Sequence, residues 1–202
     1  MSPQEQNLQL TYFSSKIENL QTYHNHKEVM VNAGFLLQLT LFATIIMEEI
    51  WPPKWIAGDS LLSQLSTALV YFLFWMLVHG FISWQLKNKI IAGLYINGYE
   101  LALKRLVFEK LSGRDLQQEA ELGDKKESGF FIRFLGHIIP LKRQTLRYDI
   151  NVKGLPRYIA IAINESMEKG TAAKGHERLM IFGSLIMLGL TILRMCFHTP
   201  VV

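Results

Sequence analysis

Six residues that can hydrogen-bond through their side chains, Ser63, Thr67, Tyr71, Trp75, His79 and Ser83, follow one another at intervals of four. On a helix such a series forms one ridge, drifting about 40° per step. The ridge lies inside Ser60–Leu86, a run of 27 residues without a charge. In such surroundings a polar ridge either packs against a partner helix or lines a wet path. His79 brings an imidazole into the run, and ionisable groups inside apolar spans are functional candidates by default. It lies eight residues from Lys87, roughly 12 Å along a helix. A neutral histidine with one hydrogen bond near an interface is therefore the plainer reading, ahead of a proton relay. A second uncharged run, Val29–Met47, carries Asn32, Gln38, Thr40 and Thr44 over 19 residues. Gln38 is the deepest of these. An amide in an apolar medium costs free energy unless it finds a partner, so it is expected to face another helix of this chain or of another copy.

The charges between and beyond the runs offer fewer kinds of chemistry. Glu48 and Glu49 close the first run. They either mark where a membrane segment ends, as charges at helix ends commonly do, or form an acidic ring at a pore mouth that concentrates cations. Arg133, Lys142, Arg143, Arg147, Lys153 and Arg157 stand against the single acid Asp149. Such a cluster beside an apolar segment attracts anionic lipid, and would also attract a nucleic acid or an acidic partner. The ordinary positive bias of cytoplasmic segments gives the same pattern. Glycine-rich Gly123–Gly129 lacks the Lys-Ser/Thr ending of a phosphate loop. His24-x-His26 has no nearby third ligand, and Glu165 and Glu168 lack the Glu-x-x-His partner of a di-iron bundle. No Ser/His/Asp arrangement is legible. The lone Cys196 forms no intrachain disulfide. Neither enzymatic activity, a metal nor a cofactor is expected.

These side chains need long helices to position them. Half of the 202 residues are hydrophobic, but they are segregated rather than mixed. Both uncharged runs approach or exceed the roughly 20 residues needed to cross a hydrocarbon core. Pro52-Pro53, flanked by Trp51 and Trp55, separates them, and prolines stop helices while indoles suit an interface. Residues 29–86 therefore read as a transmembrane helical hairpin. Leu10, Phe13, Ile17 and Leu20 give residues 1–28 an amphipathic helical seam that runs on into the first span. The second helix continues past Leu86 with Ile90, Ile91, Leu94, Leu101 and Leu106, and Lys87, Lys89, Glu100, Lys104 and Arg105 are assigned to its surface. Gly93 and Gly98 are candidate bends, and Ser112-Gly113 a stop. Phe130–Ile139 is too short to span, and suits an interfacial or a buried helix. Arg157–Lys169 reads as a short helix. Leu179–Leu193 holds 15 uncharged residues before Arg194, enough for a third span if that arginine snorkels. Gly183, Ser184, Gly189 and Thr191 would allow close helix contact there.

All but Lys16, Lys27, Lys54 and Arg194 of the 21 basic residues lie in 87–178. The positive-inside rule puts that region in the cytoplasm, with residues 1–28 beside it and the hairpin tip outside. No cleavable signal pattern precedes the first run, which is expected to be retained as an anchor. The expected fold is an all-α integral membrane protein. Its parts are a lead-in helix over 1–28, a hairpin over 29–86, a cytoplasmic helical region over 87–178 and a third transmembrane helix over 179–202.

The layout of Ile17–Ile91 resembles the SLATT group of small bacterial membrane proteins: an amphipathic lead-in, a tight two-helix hairpin with Pro52-Pro53 at its turn, then a cytoplasmic helical tail. The resemblance implies a pore-forming effector of prokaryotic defence in the bacterial inner membrane. It carries no site residues over, and the third span departs from the two-helix pattern. The expected function is a self-associating channel, pore or membrane effector whose partners are lipids, further copies and a cytoplasmic protein. The alternative is a non-conducting anchor or scaffold that recruits a soluble protein or nucleic acid through the basic segment.

Overall fold

The computed structural model describes residues 3–46, 61–108, 155, 157–169 and 175–197, and the described elements are all helical. Helix α1 covers Pro3–Ile46, α2 Leu61–Phe108, α3 Arg157–Lys169 and α4 Gly175–Phe197. Proline suits the first position of α1, where its missing N–H costs nothing, and Glu177 in the first turn of α4 suits the positive end of that helix. The 44 residues of α1 and the 48 of α2 continue without a break. Glu48, Glu49, the proline turn, Ser112-Gly113, the segment Phe130–Ile139 and the basic residues Arg133, Lys142, Arg143, Arg147 and Lys153 lie outside the described residues.

One helical stretch among the described residues, Ala68–Phe108, is long and apolar enough by length and composition to cross a membrane. The polar side chains Asn32, Gln38, Thr40 and Thr44 dilute α1, and Glu177, Arg178 and Arg194 interrupt α4.

The chain forms two compact units. The first comprises Met1–Glu28 and Gln85–Ala173. There α1 and α2 run antiparallel: the Phe13 ring lies 6.0 Å from that of Tyr99, tilted by 46°, while His24 faces Lys89. Tyr158 of α3 meets Phe13 edge-on at 6.2 Å, a geometry that aromatic rings favour. Helix α3 approaches α2 at Gly98, where a β-carbon would come within 2.9 Å of the Ile163 Cα. Gly98 thus serves as a contact point for α3. Arg105 Nη2 donates to both carboxylate oxygens of Glu165, at 2.7 and 2.9 Å. Two of the charges assigned to the surface need correcting. Lys89 is only 2% exposed and pairs with Glu28 at 3.3 Å, and its carbonyl accepts from His24 Nδ1–H at 3.0 Å. Arg105 is partly covered by α3. Helical periodicity on α2 alone does not register what other elements lay over its charged face.

The second unit comprises Val29–Trp84 and Lys174–Val202. Its cluster of Tyr71, Trp75, Met187 and Leu188 is packed by Phe35, Leu41, Phe42 and Met76. Gly34 lets α1 close on α2, since a β-carbon there would stand 2.8 Å from Ile82 Cγ1. Gly183 lies in ordinary contact range of Phe35, while Gly189 has open space around it.

Candidate functional site

The second unit buries a set of hydrogen-bonding side chains within its apolar core and exposes many of its leucines and isoleucines. Leu36 of α1, Leu69, Leu73 and Leu77 of α2, and Ile186 and Leu193 of α4 are all exposed. Tyr71, Trp75, His79 and Ser83 of the α2 ridge are each no more than 2% exposed, and Gln38 is wholly buried. The backbone of Ser63 and Thr67 belongs to α2, but their side chains lie outside the described ones.

What the ridge faces is α4 of the same chain. The His79 ring nitrogen Nδ1 lies 2.8 Å from Ser184 Oγ, and the Tyr71 hydroxyl reaches Thr191 Oγ1 at 3.4 Å. Thr191 in turn donates to the Met187 carbonyl at 2.9 Å, an intrahelical bond that leaves its oxygen free to accept. These two pairs fix the register of α2 against α4 as antiparallel. They also bring out a series that the sequence reading passed over. Glu177, Ser184 and Thr191 are spaced by seven, and all are buried, the glutamate at 3% exposure. Residues seven apart stay on one helical face, so α4 turns a polar stripe inward. The signal was present as a heptad of hydrogen-bonding side chains. It is hidden because Glu177 precedes the uncharged run and falls in the region 87–178 assigned to the cytoplasm.

Gln38 enters from α1. Its neighbours one turn away, Phe35, Leu41 and Phe42, pack on the Tyr71–Trp75 cluster. From the contact of Gly34 with Ile82, four residues forward on α1 and four back on α2 match Gln38 with Val78, next to His79. Among the described residues, both amide atoms of Gln38 lack a hydrogen-bond partner, as does Trp75 Nε1. More than nine in ten buried polar groups in folded proteins are partnered, and an unmade bond costs about 1–3 kcal/mol. The interior therefore combines two closed pairs with two groups that retain hydrogen-bonding capacity.

Elsewhere, Arg157 is exposed at the first position of α3. Among the described residues no group of three His, Cys, Asp or Glu side chains is placed to hold a metal ion. No protein-family model, characterised protein or solved structure matches the chain.

Proposed function

We propose that the protein is a multi-pass membrane protein of the cell membrane, in which the second unit crosses the bilayer on α1, α2 and α4 and acts, in self-associated form, as a channel, pore or membrane effector. The first unit lies in the cytoplasm and receives the partner or signal. The observation that carries this is the set of buried hydrogen-bonding side chains in the second unit, with Gln38 unpartnered among the described residues, beneath an outer face of leucine and isoleucine. An apolar exterior of this extent suits lipid rather than water, and polar groups inside a span mark paths and switches. The charge bias of 87–178 supports a cytoplasmic first unit, and the layout shared with the SLATT group supports a bacterial inner-membrane effector in defence. The chemistry is permeation rather than catalysis. Purified protein, its oligomer confirmed by cross-linking, should carry an ionic current in liposomes. Silence in a confirmed oligomer refutes the channel.

A second function is favoured by a specific contact. The ridge packs against α4 of its own chain, as a helix-packing device would. The protein is then a non-conducting anchor, and its first unit and basic segment recruit a soluble partner. Reversing Arg143 and Arg147 to glutamate should release that partner from membranes; unchanged retention counts against the anchor.

A further inference from the structure

We infer that what passes through the second unit is the proton, handed along the buried polar line between α2 and α4. This rests on the channel function above and names its cargo.

The groups on the line are Tyr71, His79 and Ser83 of α2 and Thr191, Ser184 and Glu177 of α4, with Tyr71 meeting Thr191 and His79 meeting Ser184. Successive groups on α4 stand seven residues apart, about 10 Å, so the relay needs water between them. From Thr191 to Glu177 is 14 residues of one helix, about 21 Å at 1.5 Å per residue, against a hydrocarbon core about 30 Å thick. A metal cation needs a lumen lined by several oxygens to replace its water. Here the described side chains lie too close for such a lumen: Trp75, His79, Ser184 and Thr191 are 0–1% exposed, and Met187, Leu188 and Phe35 pack with Tyr71 and Trp75. A proton needs only groups that donate and accept in turn. Histidine and hydroxyl side chains meet that requirement, whereas Trp75 only donates and so cannot relay. Gln38 stands within about one residue of the His79 level, with both amide atoms unpartnered among the described residues. It offers one acceptor and two donors that would seat a water beside His79.

The transfer balances without a redox partner. A proton from a water on the Gln38 side adds to one ring nitrogen of neutral His79. The proton on Nδ1 leaves across the 2.8 Å contact to Ser184 Oγ, whose own proton passes to a water on its Glu177 side. The imidazole is left neutral with its proton on the other nitrogen, and a ring turn restores it. From α4 the groups on this line are Ser184 and Glu177, from α1 Gln38, and on α2 itself Tyr71 and Ser83.

The test uses the full-length protein in phosphatidylethanolamine–phosphatidylglycerol liposomes, with trapped pyranine reporting protons and separate assays for potassium and chloride. Protons should move under a valinomycin-clamped potential while potassium and chloride do not. His79→Gln keeps a hydrogen bond towards Ser184 but takes no proton at neutral pH, and should lower proton flux by roughly a hundredfold, the range of a removed proton-transfer group. Its helicity and oligomer size should be unchanged. Glu177→Gln, at the far end, should lower flux as well, so the proposal does not depend on one variant folding. Potassium or chloride flux without proton flux overturns the proton and leaves the channel. Absence of all three fluxes overturns both. Proton flux undiminished in folded His79→Gln and Glu177→Gln overturns the relay.

Discussion

Replacing Gln38 by leucine should keep or raise stability while removing transport. Gln38 is 0% exposed and neither amide atom has a hydrogen-bond partner among the described residues. A buried polar group left unsatisfied costs about 1–3 kcal/mol, while an apolar group of the same shape is nearly neutral or stabilising. Leucine is close to glutamine in volume, so little cavity or overpacking opposes the gain. A net stabilisation of about 1–2 kcal/mol is expected. For a chain of this length each kcal/mol moves the midpoint by about 2–4 °C, so the melting temperature should rise by roughly 2–8 °C. The assay is loss of helical circular dichroism on heating in detergent micelles, with Gln38→Ala as control. Alanine removes the amide but leaves a cavity, and should gain less than leucine or lose stability. A water seated on the amide reduces the gain without reversing it. A fall of several degrees in Gln38→Leu would show that the amide is held by a strong partner, and the argument for an open polar layer would fail with it.

Gly98→Val should displace α3, because a β-carbon at that position already meets the Ile163 backbone at 2.9 and 3.1 Å; faster tryptic cleavage at Arg157 is the measurement, and an unchanged digest would contradict the close approach. Glu28→Gln should destabilise more than Lys89→Met, since it strips the carboxylate from a lysine only 2% exposed. Breaking a buried pair costs about 3–5 kcal/mol, reduced here to about 1–3 because Glu28 is itself 41% exposed; comparison of melting temperatures decides it. Burial, with the Tyr99 phenol adding to it, pushes the Tyr158 phenol up from 10.0 to about 12. The folded state favours the neutral phenol, so this contribution is whole below pH 10 and is lost as pH rises to about 12. A stability titration over that window should fall less steeply for Tyr158→Phe; identical slopes would refute the assignment.

The helices were legible because charge segregates along the chain. Val29 opens both the first uncharged run and the second unit, and Arg157–Lys169 is helical in sequence pattern and in structure alike. Tyr71, Trp75 and His79 were legible as one ridge because a spacing of four is a property of a single helix. What the ridge faces was not, since Ser184 and Thr191 lie more than 100 residues away and a contact has no local signature. In the sequence Gly98 reads as a bend, because a glycine in a helix weakens it whatever the cause, and only the position of Ile163 reveals the close approach. Lys89 misled for the same reason. Its burial comes from α1, and Glu28 lies 61 residues before it.

The geometry of the ridge also bears on how a channel would open. A row spaced by four turns about 40° per step, so from Tyr71 to Ser83 it sweeps about 120°, more than one neighbouring helix readily covers. All four residues are nonetheless buried, and two helices share the work: α4 meets Tyr71 and His79, while α1 closes on Ile82 at Gly34. An ion-sized lumen along the ridge would need one of them to move aside. In lipid, separating apolar side chains costs little, because acyl chains replace the lost contacts. The expense lies in exposing His79, Ser184 and Glu177 to hydrocarbon. A displaced α4 must therefore carry its polar stripe to another polar surface, and the α2 ridge of a second copy is one of matching spacing. Proton transfer needs no such exchange. A dimer held together by α4, swapped between copies, would accordingly conduct larger ions than a bundle closed on itself.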